Sequence, residues 1–149
     1  MKLRYFVMGR LSFLIQRYRI FLCRLKGYSN IHKSVVLESN LFLDKVYPKG
    51  VNIGENTLVA SHVIILTHEH VKRDKGDTSN PLITNTYIGR NCFIGVRSII
   101  LPGVTIGDEV VIGAHTVVSR DVPSNCIAVG NPCRIIKSGI KMDNKAILK

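Results

Sequence analysis

A six-residue spacing of aliphatic side chains restricts how this chain can fold more than any other feature. From position 88 onward, an isoleucine or valine recurs at every sixth residue, and Gly holds the second position in four of these six hexads. The aliphatic residues in register are Ile88, Ile94, Ile100, Ile106, Ile112 and Val118. Shorter runs of the same spacing begin at Ile31 and Ile53. A short fixed period over most of a chain indicates a solenoid of stacked coils.

The period of six predicts the shape of each coil. Three hexads would make one triangular turn, and each hexad would supply a short strand and a corner. The aliphatic residue would point inward, and hydrogen bonds would join successive coils into parallel sheets. Small residues would fit the crowded corners, and Gly would permit the dihedral angles that the corners need. The sequence therefore predicts a mainly β fold, a parallel β-helix over residues 31–137 of the 149.

The hexad register is interrupted by residues 66–87, a polar segment that predicts a protruding loop. A long loop within a compact repeat is more often functional than accidental. His68 and His70 lie at its base, and imidazole is the side chain best suited to accept a proton near neutral pH. Glu69 and Asp74 are candidates to orient an imidazole, and the sequence does not select between them.

Residues 101–137, LPGVTIGDEVVIGAHTVVSRDVPSNCIAVGNPCRIIK, carry the most specific family signature in the chain. They resemble the hexapeptide-repeat acyltransferases, in the branch of galactoside, maltose and polysaccharide O-acetyltransferases. The resemblance covers about residues 31–137. It implies a left-handed β-helix, acetyl-coenzyme A as acyl donor, no metal, and a homotrimer with active sites between subunits. The implied acceptor is a hydroxyl group of a sugar or of a surface-polysaccharide precursor.

The same resemblance implies roles for individual residues. An ungapped comparison of ASHVIILTHEH places His70 at the general base, whereas a two-residue gap places His68 there; we favour His70. No serine or cysteine has a triad context, so direct transfer is expected. The residues implied in coenzyme A binding are Val96 and Ala114 beside the pantetheine arm, Ser119 and Arg120 toward the nucleotide, and Arg134 and Lys137 at the phosphates. Val96 departs from the family, which often has a small residue there.

Three alternatives remain open at this stage. A small-molecule or antibiotic acetyltransferase would use the same residues on a different acceptor. A zinc enzyme like the β-helical carbonic anhydrases would use His62, His68 and His70 as nitrogen ligands. A β-helix without catalytic activity would bind no coenzyme A.

The N-terminal segment is strongly basic. The chain has a net charge of +11, and residues 1–30 contain seven basic residues and no acidic residue. The spacing predicts a helix over 3–26 with one apolar stripe and a second, narrower line. The stripe is Val7, Leu11, Leu14, Tyr18, Leu22 and Leu25; the line is Phe6, Phe13 and Ile20, beside Arg10, Arg17 and Arg24.

We expect one stripe to pack on the β-helix or on a neighbouring subunit, and the other, with its arginines, to contact an anionic membrane surface. The alternative is that both are buried in an oligomer. No nucleic-acid motif, membrane span or signal peptide is expected. The cysteines, four in number and without a CxxC pair, are expected to be reduced thiols in a cytoplasmic protein. Residues 138–149 are expected to form a C-terminal tail.

Overall fold

The structure, a computed structural model, describes residues 2–71 and 80–149, with side chains from Leu14 onward. One helix, α1, spans Lys2–Leu25, and a short 3-10 helix spans Pro48–Gly50. The strands in chain order are β1 Val36–Leu37, β2 Phe42–Leu43, β3 Val51–Ile53, β4 Leu58–Val59, β5 Ile64–Ile65, β6 His68–Glu69, β7 Leu82–Ile83, β8 Thr86–Ile88, β9 Phe93–Ile94, β10 Ile99–Ile100, β11 Thr105–Ile106, β12 Val111–Ile112, β13 Val117–Val118, β14 Cys126–Val129 and β15 Arg134–Ser138.

The short strands form the sides of a triangular prism. The first sheet has the order β1-β4-β9-β12-β14-β15, the second β13-β10-β5-β2, and the third β11-β8-β3. Pairing within these sheets is parallel except between β14 and β15. The chain visits the sheets in rotation, so each coil contributes one strand to each side. The predicted fold, a left-handed parallel β-helix with an N-terminal helix, is confirmed.

Three corners connect the sheets and locate every functional residue discussed below. The first corner joins the first sheet to the second, the second corner joins the second to the third, and the third corner returns to the first sheet. The first corner comprises residues 38–41, 60–63, 95–98 and 113–116. The second comprises residues 44–50, 66–71 with 80–85, 101–104 and 119–121, and the third comprises residues 54–57, 89–92, 107–110 and 123–125.

The aliphatic residues of the hexads form the core, as predicted. The side chains of Ile94, Ile100, Ile112 and Val118 are completely buried, and Ile106 is nearly so. Each lies on the equivalent residue of the adjacent coil; Ile100 pairs with Val118, for example. Because one coil cannot bury its own aliphatic side chains, this stacking is what stabilises the prism.

Of the two reasons expected for the hexad glycines, crowding between coils is the one that applies. A Cβ on Gly89 would lie 2.5 Å from the carbonyl oxygen of Gly107, and one on Gly54 would lie 2.7 Å from the carbonyl carbon of Gly89. None of these three has a positive φ; at the corners, residues such as Asn56 (φ 55°) and Asn91 (φ 53°) adopt the left-handed conformation instead. At the second position of the hexads Gly is therefore required because successive coils approach too closely for any side chain, and the prediction that Gly supplies dihedral angles was wrong there. Gly103, at the second corner, does have a positive φ of 80°.

The protruding loop leaves the prism at the second corner. Strands β6 and β7 pair antiparallel at its base, with His68 opposite Ile83. Beyond the loop the coils stack again in register. Asn56, before the loop, donates a hydrogen bond of 3.2 Å to Asn91, which follows it by 35 residues and occupies the equivalent position in the next coil. The loop is thus an insertion into one coil, and its base is fixed by the β-helix.

Helix α1 lies across the open N-terminal end of the stack of coils. Among the described strands, β1 has a neighbour on one side only, and α1 supplies hydrogen-bond partners for its free edge. Arg19 Nη1 donates to the carbonyl oxygen of Leu37 at 2.7 Å, and the Leu37 amide donates to Gln16 Oε1 at 3.2 Å. Covering an edge strand in this way prevents it from pairing with another chain.

The face of α1 that packs is the opposite of the one expected. Ile20 is 4% exposed, whereas Leu14, Tyr18 and Leu25 are 62%, 61% and 69% exposed. Because the free edge of β1 needs polar partners, the helix turns toward it the face that carries Gln16 and Arg19, and Ile20 is buried with them. The prediction that the line through Ile20 stays exposed was wrong; the side chains of Phe6 and Phe13 lie outside those described.

The C-terminal segment covers the outer surface of the first sheet. Ile140, Met142 and Ala146 are buried, and they pack against outward-facing side chains that include Phe93 and Val111.

All four cysteines are free thiols. Within residues 2–71 and 80–149, no helix has the length and apolar character that crossing a bilayer requires.

Candidate active site

The base of the protruding loop brings a histidine against a buried carboxylate. Asp44 follows β2 at the second corner, and His68 belongs to β6 one coil later. Asp44 Oδ2 lies 2.5 Å from His68 Nδ1 and also accepts hydrogen bonds from the backbone amides of Thr67 at 2.7 Å and His68 at 3.1 Å. Its Oδ1 accepts from the Val46 amide at 2.8 Å. Four donors thus fix the carboxylate, and the carboxylate fixes the His68 ring.

Asp44 is held in its ionised form. Its side chain is completely buried, and burial alone raises the pKa of a carboxyl group. The hydrogen bonds from the Thr67 amide, the His68 ring and the Val46 amide, with the charge of His68, outweigh burial and place the pKa of Asp44 below its ordinary value. The site therefore contains a carboxylate whose orientation and charge are both set by the fold.

His70 lies beside His68 at the rim of the site. The two ring centroids are 5.3 Å apart and the ring planes are at 89°, an edge-to-face arrangement. The side chain of His68 is 19% exposed, while His70 is an exposed residue just beyond the end of β6. His70 can meet a ligand at the surface, whereas His68 is positioned to support it.

Sequence reasoning did not find Asp44. It considered Glu69 and Asp74 as orienting groups; Asp74 lies outside the described residues, and Glu69, in β6, stays a candidate. Asp44 is 24 residues from His68 in sequence and becomes its neighbour through coil stacking. The available signal was the irregular segment DKVYPKG, residues 44–50, which interrupts the hexad register after Leu43 at the corner that also carries the loop.

We expect Asp44→Ala to lower the free energy of unfolding by about 2–3 kcal/mol at pH 7, because it leaves buried amide donors without an acceptor. The folded-state pKa is depressed, so the stabilisation is complete above the unfolded pKa near 4 and is lost as pH falls through the folded value. Urea denaturation should therefore show a smaller difference from wild type at pH 3 than at pH 7. Glu55→Ala, which removes an exposed carboxylate 3.6 Å from His32, is the control and should cost less than about 1 kcal/mol. Equal costs for the two variants would contradict the assigned role of Asp44.

Three of the residues implied in coenzyme A binding lie along the first corner. Val96 and Ala114 are exposed and occupy the same position in successive coils, where the His115 amide donates to the Val96 carbonyl oxygen at 2.9 Å. Arg134 begins β15 and pairs with Val129, at the C-terminal end of the same corner. The corner thus presents an exposed track that ends at a guanidinium group.

Lys137 lies farther along β15, the edge strand of the first sheet, where it pairs with Ile127. Like Arg134 it is exposed, and neither side chain forms an ion pair with a carboxylate among the described residues. An exposed track that ends at one cation, with a second cation farther along the same strand, suits a phosphorylated ligand.

Ser119 and Arg120 lie at the second corner, after β13. They share this corner with His68 and His70 and are separated from Val96 and Ala114 by the width of the second sheet. One chain therefore does not bring all the predicted cofactor residues together, nor does it bring the first-corner track beside the histidines.

The histidines of the zinc alternative are also separated. His62 lies at the first corner, where Asn40 Nδ2 is 3.3 Å from its Nε2, and the second sheet lies between it and the loop base. Within the part of the chain that the structure describes, no three His, Cys, Asp or Glu side chains are grouped so as to hold a metal ion.

Comparison with known proteins places this arrangement in a family. Residues 85–120 match the family model for the bacterial transferase hexapeptide (six repeats). Galactoside O-acetyltransferase of Escherichia coli strain K12 is 41% identical over 113 residues, which are 73% of this chain and 54% of that protein. The crystal structure of a maltose O-acetyltransferase from Clostridium difficile 630 has a TM-score of 0.61 at 31% identity, over 85% of this chain and 87% of that chain.

The chain belongs to the hexapeptide-repeat acetyltransferase family, in the galactoside and maltose O-acetyltransferase branch. It spans about half the length of the Escherichia coli relative, 54%. A galactoside acetyltransferase solved in complex with coenzyme A has a TM-score of 0.58 at 24% identity, over 85% of this chain and 82% of that chain, and this is a similarity of fold alone.

Proposed function

We propose that this protein transfers an acetyl group from acetyl-coenzyme A to a hydroxyl group of a sugar or of a surface-polysaccharide precursor. The observation that carries the proposal is the loop base, where an exposed histidine, His70, adjoins a second histidine held by a buried carboxylate. A base supported by an oriented neighbour is what activation of an alcohol requires. The relatives named galactoside and maltose O-acetyltransferase support the choice of donor and acceptor.

In the proposed reaction His70 accepts the proton of the acceptor hydroxyl group. The oxygen attacks the thioester carbonyl, forming a C–O bond while a backbone N–H stabilises the oxyanion. The C–S bond then breaks, and the leaving thiolate takes the proton from the His70 imidazolium to give free coenzyme A. His68 acts as a positioning residue, since Asp44 fixes its ring and its ring contacts that of His70.

Acetyl-coenzyme A fits the exposed track of the first corner. Val96 and Ala114 would lie beside the pantetheine arm, and Arg134 and Lys137 would bind phosphate groups at its far end. Both cations are exposed and have no carboxylate partner among the described residues, which supports placing the phosphate end of the cofactor beside them. Ser119 and Arg120, at the other edge of the second sheet, would serve the nucleotide only through a neighbouring copy.

We further propose a homotrimer in which each active site combines the second corner of one copy with the first corner of the next. The C-terminal segment already covers the first sheet, whereas the second sheet presents an outward apolar row that includes Phe42, Ile64 and Ile99. A neighbour packed there would bring its own Val96 and Ala114 toward the histidine pair. The separation of these residues within one chain supports the proposal.

We also propose a cytoplasmic location with contact at the inner face of the membrane, which would suit an acceptor linked to a lipid. The test of the whole proposal is to incubate the protein with acetyl-coenzyme A and a panel of sugars, following free thiol release and product mass. A mass increase of one acetyl group on a sugar, with equal release of thiol, is expected. Acetylation of amines or antibiotics alone would favour a small-molecule acetyltransferase of the same fold, and no binding of coenzyme A would leave a non-catalytic β-helix.

We expect Arg134→Ala to weaken binding of acetyl-coenzyme A about tenfold, as loss of one charge-assisted hydrogen bond to phosphate implies. Binding of dephospho-coenzyme A, which lacks the 3′-phosphate, should change much less if Arg134 contacts that group. Isothermal titration with both ligands makes the comparison. Arg90→Ala, which removes an exposed arginine paired with Asp108 at the third corner, is the matched control and should bind both ligands normally. Equal weakening of both ligands by Arg134→Ala would move Arg134 away from the 3′-phosphate.

A further inference from the structure

The outward face of α1 carries an apolar surface that the β-helix does not cover. Leu14, Tyr18, Phe21 and Leu25 are each more than half exposed, and they are spaced by four, three and four residues. At 3.6 residues per turn this spacing places all four on one line along the helix, here called the outer stripe. The line is nearly opposite Gln16, Ile20 and Cys23, the side that faces the first coil.

Cationic side chains flank the outer stripe on both sides. Arg17 and Arg24 are exposed along one flank, and Lys26 is exposed beside the other. Residues 1–30 contain no acidic side chain. An apolar stripe with aromatic residues, bordered by arginine and lysine, has the composition of a helix that lies in the headgroup region of a bilayer.

We propose that the outer stripe binds the surface of an anionic lipid bilayer and that it orients the whole molecule there. The positive charge beside the outer stripe favours an anionic bilayer as the partner over a second copy of the helix. If two outer stripes packed together, their flanking cations would meet with no acidic residue of the segment between them, and the like charges would repel. An anionic bilayer supplies the counter-charge and accommodates the apolar side chains at the same time.

The position of α1 determines the orientation. Because α1 covers the N-terminal end of the stack, the outer stripe faces away from the coils along the axis of the prism. Copies with parallel axes would present their stripes on one side, and several weak contacts would then act together. That last point rests on the proposed homotrimer, whereas binding of the stripe itself does not. The groove between α1 and the first coil, lined by Arg19, Lys26 and Lys45 among others, would open close to the lipid headgroups.

The test is flotation of the purified protein with vesicles of phosphatidylcholine alone and of phosphatidylcholine mixed with phosphatidylglycerol. Wild type should float with the mixed vesicles only, and high salt should reduce the floating fraction without abolishing it, because apolar burial is not screened. Phe21→Gln with Leu25→Gln should lower the bound fraction at least about tenfold. The matched control is Ile147→Gln with Leu148→Gln, which replaces two exposed apolar side chains of the C-terminal segment and should bind like wild type.

Thermal unfolding and sedimentation of each variant separate the outcomes. The four substituted side chains are exposed, so unchanged unfolding temperatures and unchanged mass are expected. Failure of wild type to float, equal binding to neutral vesicles, or normal binding of the Phe21 and Leu25 variant would each overturn the proposal. A smaller assembly in that variant would instead make the stripe a contact between copies and would also overturn it. Acetyl transfer to a soluble acceptor, measured without vesicles, tests the proposed function independently.

Discussion

Replacement of His70 by Ala should lower turnover by about 10² to 10⁴ while leaving the affinity for acetyl-coenzyme A nearly unchanged, as loss of a general base implies. The acceptor oxygen would then have to attack while it still carries its proton. In our proposal the donor is held mainly by the first-corner track of a neighbouring copy rather than by the imidazole, so its affinity should survive. Steady-state turnover and titration with coenzyme A measure the two quantities separately. Added imidazole should restore part of the activity, because the missing side chain leaves space at an exposed position.

His68 provides the matched comparison. His68→Ala should reduce turnover by about tenfold to a hundredfold, the cost of a loosely oriented base, again without affecting donor affinity. His68→Asn should recover much of that loss, because its amide N–H can still donate to Asp44 where His68 Nδ1 now lies 2.5 Å from the carboxylate. If His68→Ala were the inactive variant and His70→Ala nearly normal, the base would be His68. If neither variant changed turnover, the proposed mechanism would be wrong.

The parts of the fold that follow a period were predictable. Inward residues such as Ile94 and Ile112 repeat every six positions because each coil must present the same aliphatic side chain to the next one. The reason for Gly at the corners was not predictable, since close approach between coils and a positive φ both favour Gly. Only the structure shows that a Cβ on Gly89 would meet Gly107, while Asn91 adopts the left-handed conformation.

The candidate site depends on contacts between residues of neighbouring coils, and the spacing of residues along the sequence does not show which residues will make those contacts. His68 and His70 were found because they stand at the edge of an interrupted repeat. Asp44 was missed because its distance from His68 along the chain is set by the irregular segment after Leu43. The buried face of α1 was predicted wrongly for a related reason. Hydrophobic periodicity identifies the more apolar face of a helix as the face to be buried. In α1, however, the face that packs is the one whose Gln16 and Arg19 form hydrogen bonds with the free edge of β1.

Two inactive variants should restore activity when they are assembled into one oligomer. His70→Ala removes the proposed base at the second corner, and Ala114→Phe places a bulky ring on the track where the pantetheine arm would lie. Each homo-oligomer should be nearly inactive. In a mixed trimer, however, one interface pairs the intact loop base of an Ala114→Phe copy with the intact track of a His70→Ala copy. About a third of the sites should then work, because each cyclic trimer of mixed composition contains one such interface.

Co-expression with two different affinity tags, followed by purification through both, isolates the mixed trimers for assay. The fold supports assembly of all of them, since Ala114 is exposed at a corner and His70 is exposed beyond the end of β6. Two differently tagged His70→Ala chains, purified in the same way, should stay inactive. An inactive mixture of His70→Ala with Ala114→Phe, still trimeric by sedimentation, would mean that each site is built within one chain. The first-corner track could then not serve the histidine pair, because the second sheet separates them in every copy. Restored activity would show that the two corners meet only between copies, so that the site does not exist until the chain assembles.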